Sequence, residues 1–338
     1  MVEALPLDPV LLEADWRQPE DVTSLEAFDL FLLGKEAWNR RTGAELLRAV
    51  DLFDQAVALD SSYAPGWAAL AETYVVLPGY TAISARTAYN RLRETAGRAL
   101  ALDSLNVQAH TALGYGTVWH GRDFPAGIRR LERALAIDPD YATALHWLGE
   151  VLAHSGRFEE SLARFELALE VDPFSRVTAA DYGQALQLAG RHDEAVEWLE
   201  ALLEAEPGYL IGEYWLFYAA LLTGRVDRAE QLARSVARGV GLDPEGLALA
   251  VRGVAGKVPR ETAVAALDAQ PRSISGVGLV ILTAMYGQLG ALDEGFAALE
   301  EAAGTPTQAE VYMVTHPVFA PYRTDPRYER IAGRTGTP

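Results

Sequence analysis

Apolar residues recur at three- and four-residue spacing along most of the chain, in stretches that stop at glycine or proline. The stretch YATALHWLGEVLAHSGRFEESLARFELALEVDP, Tyr141 to Pro173, is representative. Its apolar positions are those of amphipathic helix, yet Gly156 stands in the middle. The pattern predicts two helices instead of one. Gly156 ends the first in a tight or left-handed conformation, RFEE opens the second, and Pro173 follows its end. Leu148, Leu152 and Phe165 are expected to fill the seam, with the small residues Gly149 and Ala168 letting the helices approach.

The stretch repeats. In the next unit, FSRVTAADYGQALQLAGRHDEAVEWLEALLEAEP, Gly183, Gly190 and Pro207 stand 34 residues after Gly149, Gly156 and Pro173, and Gly224 stands 34 after Gly190. A 34-residue period of two short helices is the signature of the tetratricopeptide repeat (TPR). Further units fit upstream around Leu33–Gly34, Trp67–Leu70 and Leu113–Gly114. About nine extra residues sit near Pro78–Ser84 and a short insert near Thr42–Gly43. Downstream, 242–275 reads as a degenerate hairpin carrying Gly253, Gly256 and Pro259, and Leu282, Tyr286, Gly290 and Leu299 restore the pattern. A hairpin cannot bury its own apolar face, so the units must stack. The expected fold is an all-α TPR superhelix, an α-solenoid of about seven hairpins over 24–313. Residues 1–23 form an arm or linker, and 314–338, with Pro317, Pro321 and Pro326, a cap on the last repeat.

The chain resembles the TPR region that follows the effector domains of bacterial adenylate/guanylate cyclases, winged-helix regulators and some Ser/Thr kinases. SLEAFDLFLLGKEAWNRRTGAELLRAVDLFDQAVALD, YAPGWAALAETY with AGRALALD, the 141–173 stretch and the ending HPVFAPYRTDPRYERI carry the likeness, which spans about Ser24 to Gly333 and includes no effector segment. It implies a binding or sensing role in bacterial signalling.

Charge narrows the partner. Lys plus Arg number 29 and Asp plus Glu 47, a net charge of −18. Such a surface repels phosphate backbones and anionic lipid, so neither nucleic acid nor membrane is expected. A protein or peptide segment of basic or neutral character is. No apolar run reaches the roughly 18–20 residues of a membrane span, and the N-terminus lacks the basic start of a secretory signal, which predicts a cytoplasmic protein. The chain has no cysteine, which excludes disulfides and Cys-ligated zinc.

Nucleotide and catalytic motifs fail: GVAGKV lacks the spacing and the Ser/Thr of a phosphate loop. The best candidate surface is the face of His146, Glu150 and His154, spaced by four on one helix. In TPR stacking this face looks into the concave groove, beside Thr111, Tyr115 and Trp119 on one side, Gln184 on the other, and Tyr214 and Tyr218 beyond. The predicted ligand-binding groove is therefore Tyr115, Trp119, His146, Glu150, His154, Gln184, Tyr214 and Tyr218, without catalytic residues, metal or cofactor. His146 and His154 lie about 12 Å apart along the axis, too far to share one ion, and either with Glu150 makes only two ligands. The competing reading has His146 packing and hydrogen-bonding between helices. Phe31, Lys35, Ala68 and Glu72 do not form the carboxylate clamp of chaperone-tail adaptors. A scaffold or sensor that holds a peptide in the groove is the favoured function. A small-molecule sensor with an aromatic pocket is the alternative, and an enzyme using the His146/Glu150/His154 face is the least supported.

Overall fold

The computed structural model describes residues 24–81, 83–271, 276–302 and 308–338. The arm predicted at 1–23 lies outside them. Eight helical hairpins follow one another: α1 (Leu25–Asn39) with α2 (Gly43–Leu59), α3 (Ala64–Val76) with α4 (Ala85–Leu102), α5 (Val107–Trp119) with α6 (Phe124–Ile137), and α7 (Ala142–His154) with α8 (Phe158–Val171). Then come α9 (Arg176–Leu188) with α10 (His192–Ala205), α11 (Leu210–Leu222) with α12 (Val226–Val240), α13 (Pro244–Val254) with α14 (Arg260–Asp268), and α15 (Gly276–Gln288) with α16 (Leu292–Ala302). The described residues contain no strand. The degenerate region forms a full pair, which raises the count from about seven to eight.

Local chemistry sets the boundaries. Ser24, Thr42, Ser84, Asn106, Asp123 and Asp243 each cap a helix, their side chains accepting from a backbone N–H of the first turn. Gly156 adopts φ +75°, and Gly156 N–H and Arg157 N–H donate to the carbonyls of Ala153 and Leu152. This is the left-handed helix ending expected from the sequence. At the seam a glycine faces a large side chain of the partner helix. A Cβ on Gly149 would lie 2.9 Å from Phe165 Cδ2, and one on Gly183 2.6 Å from Leu199 Cγ.

Successive first helices of the pairs, α3, α5, α7, α9 and α11, lie side by side and form the inner layer, with their partners outside. The buried apolar residues make two clusters. One runs from Phe31 through Trp119 to Leu152, the other from Ala153 through Trp215 to Ile331.

The C-terminal segment departs from a simple end cap. It comprises α17 (Gln308–Thr315), a 3-10 segment (Pro317–Thr324) and α18 (Pro326–Thr335). The 3-10 segment does cover the last hairpin: Tyr322 lies against Gly287 and Gly295, and its hydroxyl donates to the carbonyl of Thr283 at 2.7 Å. But α17 begins ahead of the boundary at 313 and turns into the concave side. There Val311 joins the first apolar cluster, Met313 joins the second, and Tyr312 packs on both.

Candidate functional site

The inner layer presents two zones of polar and aromatic side chains. The first is polar and built by neighbouring helices. From α7, His146 Nε2 meets Asp181 Oδ2 of α9 at 2.9 Å. Trp215 Nε1 of α11 donates to the other carboxylate oxygen of Asp181 at 3.0 Å. Tyr115 of α5 donates its hydroxyl to Glu150 Oε2 at 2.6 Å, and its ring stacks on Trp147 with centroids 4.4 Å apart. Nearby, buried Glu72 of α3 accepts from Gln108 Nε2 at 2.5 Å and from the Tyr141 hydroxyl at 2.6 Å, with Lys35 Nζ 3.7 Å away.

Burial governs the electrostatics. Glu150 is pushed up to about 8, first by loss of solvent and then by the Asp181 carboxylate; the Tyr115 hydroxyl and Arg41 pull the other way. At neutral pH it therefore keeps its proton, which relieves the repulsion that a second negative charge beside the partly exposed Asp181 would cause. The Tyr115 and Tyr141 hydroxyls are raised well above the ordinary phenol value, chiefly by burial and then by Glu150 and Glu72. Potential ligand atoms of His146, Glu150 and Asp181 lie within 4.8 Å of one another. Each already has a hydrogen-bond partner in the protein. The arrangement can hold and exchange a proton, and it locks the register of α5, α7, α9 and α11.

The second zone holds Trp119, His154, Gln184, Tyr214 and Tyr218, all buried. It is not an open groove. α17 lies on it: the Tyr312 ring sits 6.2 Å from Trp119, 5.2 Å from His154 and 5.9 Å from Trp215. Thr315 Oγ1 meets His154 Nδ1 at 2.7 Å, and the His316 ring stacks on Trp215 at 5.8 Å, tilted by 19°. Glu310 pairs with Arg122 at 3.7 Å and with Arg334 at 2.7 Å. His154 is held down to about 3 by burial, so it is neutral there. His316 is also held well below its ordinary value, by burial first and then by His154, His192 and Arg323.

The eight residues read from the sequence thus divide. Tyr115, His146 and Glu150 enter the polar zone; Trp119, His154, Gln184, Tyr214 and Tyr218 lie in the second, where Tyr312 of α17 covers Trp119 and His154, and His316 just after it covers Tyr218. The expectation of an open groove centre at Trp119 is corrected: its rim is filled by the chain's own helix, because the tail after α16 has an apolar face of its own to bury. His146 does bond between helices, as the competing reading had it. Asp181, Trp215 and Tyr312 were missed, and Glu72 was considered only as a clamp position. A signal existed for all but Tyr312. The cross-helix pairs Tyr115–Glu150, His146–Asp181, Trp215–Asp181 and Gln108–Glu72 are separated by 35, 35, 34 and 36 residues, one repeat length give or take a position.

Comparison with known proteins agrees with this architecture. A family model described as a tetratricopeptide repeat matches residues 140–207, which hold α7 to α10. The transcriptional regulator HilA of Salmonella typhimurium, like that of Salmonella typhi, is 27% identical over 149 residues, 44% of this chain and 27% of the regulator. The chain thus spans about a quarter of the length of these curated relatives. Among solved structures, the yeast Tom70 crystal structure aligns with 94% of this chain and 70% of its own, at a TM-score of 0.51 and 15% identity. A tetratricopeptide repeat protein from Parabacteroides merdae aligns with 82% of this chain and 99% of its own, at a TM-score of 0.45 and 12% identity. Residues 140–207 thus match the tetratricopeptide repeat, and the chain as a whole has an all-α solenoid fold of stacked helical hairpins. No helix among the described residues is long and apolar enough to cross a membrane.

Proposed function

We propose that this chain is a non-catalytic scaffold or sensor module that holds a protein or peptide segment on its concave face. One observation carries the reading: the inner layer already grips a helix, α17, through ring contacts, an ion pair and a side-chain hydrogen bond. Concave repeat surfaces are suited to such work, and a helix laid in a groove is a recurring recognition mode. The polar zone lies beside it, with the partly exposed carboxylate of Asp181 favouring neutral or basic groups. The likeness to a transcriptional regulator supports a signalling setting in the cytoplasm.

The test compares faces. Lys35→Ala/Gln108→Ala alters partly exposed inner positions, and Trp198→Ala an exposed outer one. Proteins cross-linked to the wild type in native lysate should be lost from the inner-face variant and kept by the outer-face variant. Equal capture by both variants overturns the reading.

A further inference from the structure

We propose that Glu310–His316 is an exchangeable, built-in occupant of the concave face, and that the partner this face takes is a short helix of the same design: a carboxylate, an aromatic ring two residues on and a hydroxyl five residues on. The inference rests on the reading of the inner face as a protein-binding surface, and it names the partner's chemistry.

The docked segment supplies the pattern. Its carboxylate, Glu310, reaches Arg122 in the turn between α5 and α6. Its ring, Tyr312, enters a space walled by Trp119, His154 and Trp215. Its hydroxyl, Thr315, meets His154 Nδ1. A second observation shows that the fit is incomplete. Trp119 Nε1, His154 Nε2 and His316 Nε2 are buried and have no hydrogen-bond partner among the described residues. Trp119 is 5% exposed, His154 2% and His316 1%. Buried polar atoms in native proteins are nearly always paired, because an unpaired one forfeits its hydration for nothing. Two such atoms on the groove and one on the docked segment mark an occupant that does not use all that the groove offers. A helix on the same chain does not need an optimal fit, since tethering holds it at high effective concentration. An incoming helix that gives Trp119 Nε1 an acceptor and His154 Nε2 a partner gains what the resident helix leaves unused.

Exchange would also change the molecule's shape. Val311 and Met313 tie the two apolar clusters together, so departure of α17 removes a bridge between the two halves of the superhelix. Binding would thereby be read out as a change in curvature.

The experiment uses the full chain and a fluorescein-labelled synthetic peptide with the sequence of residues 308–324. In the variant Glu310→Gln/Tyr312→Ala the resident helix is weakened. Fluorescence anisotropy should show this variant binding the peptide at least tenfold more tightly than the wild type, while a peptide carrying the same two substitutions binds neither protein. Equal affinity of wild type and variant, or binding by neither, overturns the proposal. A wild-type dimer in light scattering that the peptide dissociates also overturns it, because the occupant is then a second copy of the chain. If circular dichroism shows that the variant has lost its helices, hydrogen exchange on the wild type decides. Amides of 308–316 exchanging at least tenfold faster than those of α7 and α9 support an exchangeable helix, and equal protection overturns it. If the peptide fails while capture that depends on Lys35 and Gln108 persists, the broader reading stands and this one falls.

Discussion

At the scale of single residues, Glu150 and His154 make opposite demands on pH. Both are buried on the same face of α7, one turn apart. His154 falls from the ordinary 6.5 to about 3 through burial. Between these values the unfolded chain binds a proton that the folded chain refuses. Its contribution is therefore complete above pH 6.5 and drains away as pH falls toward 3. Glu150 rises from 4.5 to about 8, so the folded chain holds the extra proton, and stability declines as pH climbs from 4.5 through 8. Glu150→Gln keeps an acceptor for the Tyr115 hydroxyl and removes the titration. In urea unfolding the variant should be more stable than wild type at pH 9, by a few kcal/mol at most, and no more stable at pH 5. Parallel pH profiles for the two proteins would show that Glu150 does not titrate in this window. For His154 the counterpart is His154→Phe, which should flatten the loss of stability between pH 6.5 and 4. A slope as steep as that of the wild type would place the acid sensitivity elsewhere. The histidine was legible in the sequence as a concave-face residue. That it lies beneath Tyr312 was not, because the two are joined by 158 positions of chain and by no repeat period.

At the scale of elements, the helices were legible because local chemistry and period agree. Gly156, Gly190 and Gly224 end helices in the left-handed conformation at 34-residue intervals, and the pairs around them form. The close seam was legible too, since each glycine faces a large side chain on the partner helix, Gly149 against Phe165 and Gly183 against Leu199. Gly149→Val should place methyl groups where Phe165 now lies and cost about 1–3 kcal/mol by overpacking. Combining it with Phe165→Leu should recover part of that loss, since contacting sites are not additive. A double-mutant cycle in thermal unfolding measures the coupling, and simple additivity would mean that the two side chains do not share the seam. What resisted reading were elements outside the period. The residues near Pro78–Ser84 look like a bare insertion, and nothing local tells that Tyr80 comes close enough to Asp181 and Glu150 to feel their charge. Asp181 falls outside the strict 34-residue step, which leads from His146 to Ala180. Side-by-side helices are offset, and the bonded partner is one residue further on.

On the scale of the whole molecule, coupling between the two halves has two sources. One is the ordinary stacking of α7 and α8 on α9, where each hairpin touches only what lies next to it, so a solenoid's stability is close to a sum of neighbour terms. The other is the C-terminal segment, which contacts residues far apart in sequence. Glu310 forms an ion pair with Arg122 near the start of α6 and a hydrogen-bonded pair with Arg334 in α18; Tyr312 touches Trp119, His154 and Trp215; Tyr322 reaches Thr283 in α15. Non-local contacts of this kind convert a linear array into a cooperative unit. Deleting 314–338 removes the Tyr322 ring from Gly287 and Gly295, uncovers the last hairpin and takes Arg334 from Glu310. The wild type should melt in calorimetry as one transition. The truncated chain should melt at lower temperature and in two steps, with the C-terminal hairpins first. Loss of the ring alone, in Tyr322→Ala, should lower the temperature while keeping a single step, because Arg334 and Thr315 still hold α17 in place. If the truncated chain melts in one step at the wild-type temperature, nearest-neighbour stacking alone unites the molecule and the inward-turned segment is dispensable to it.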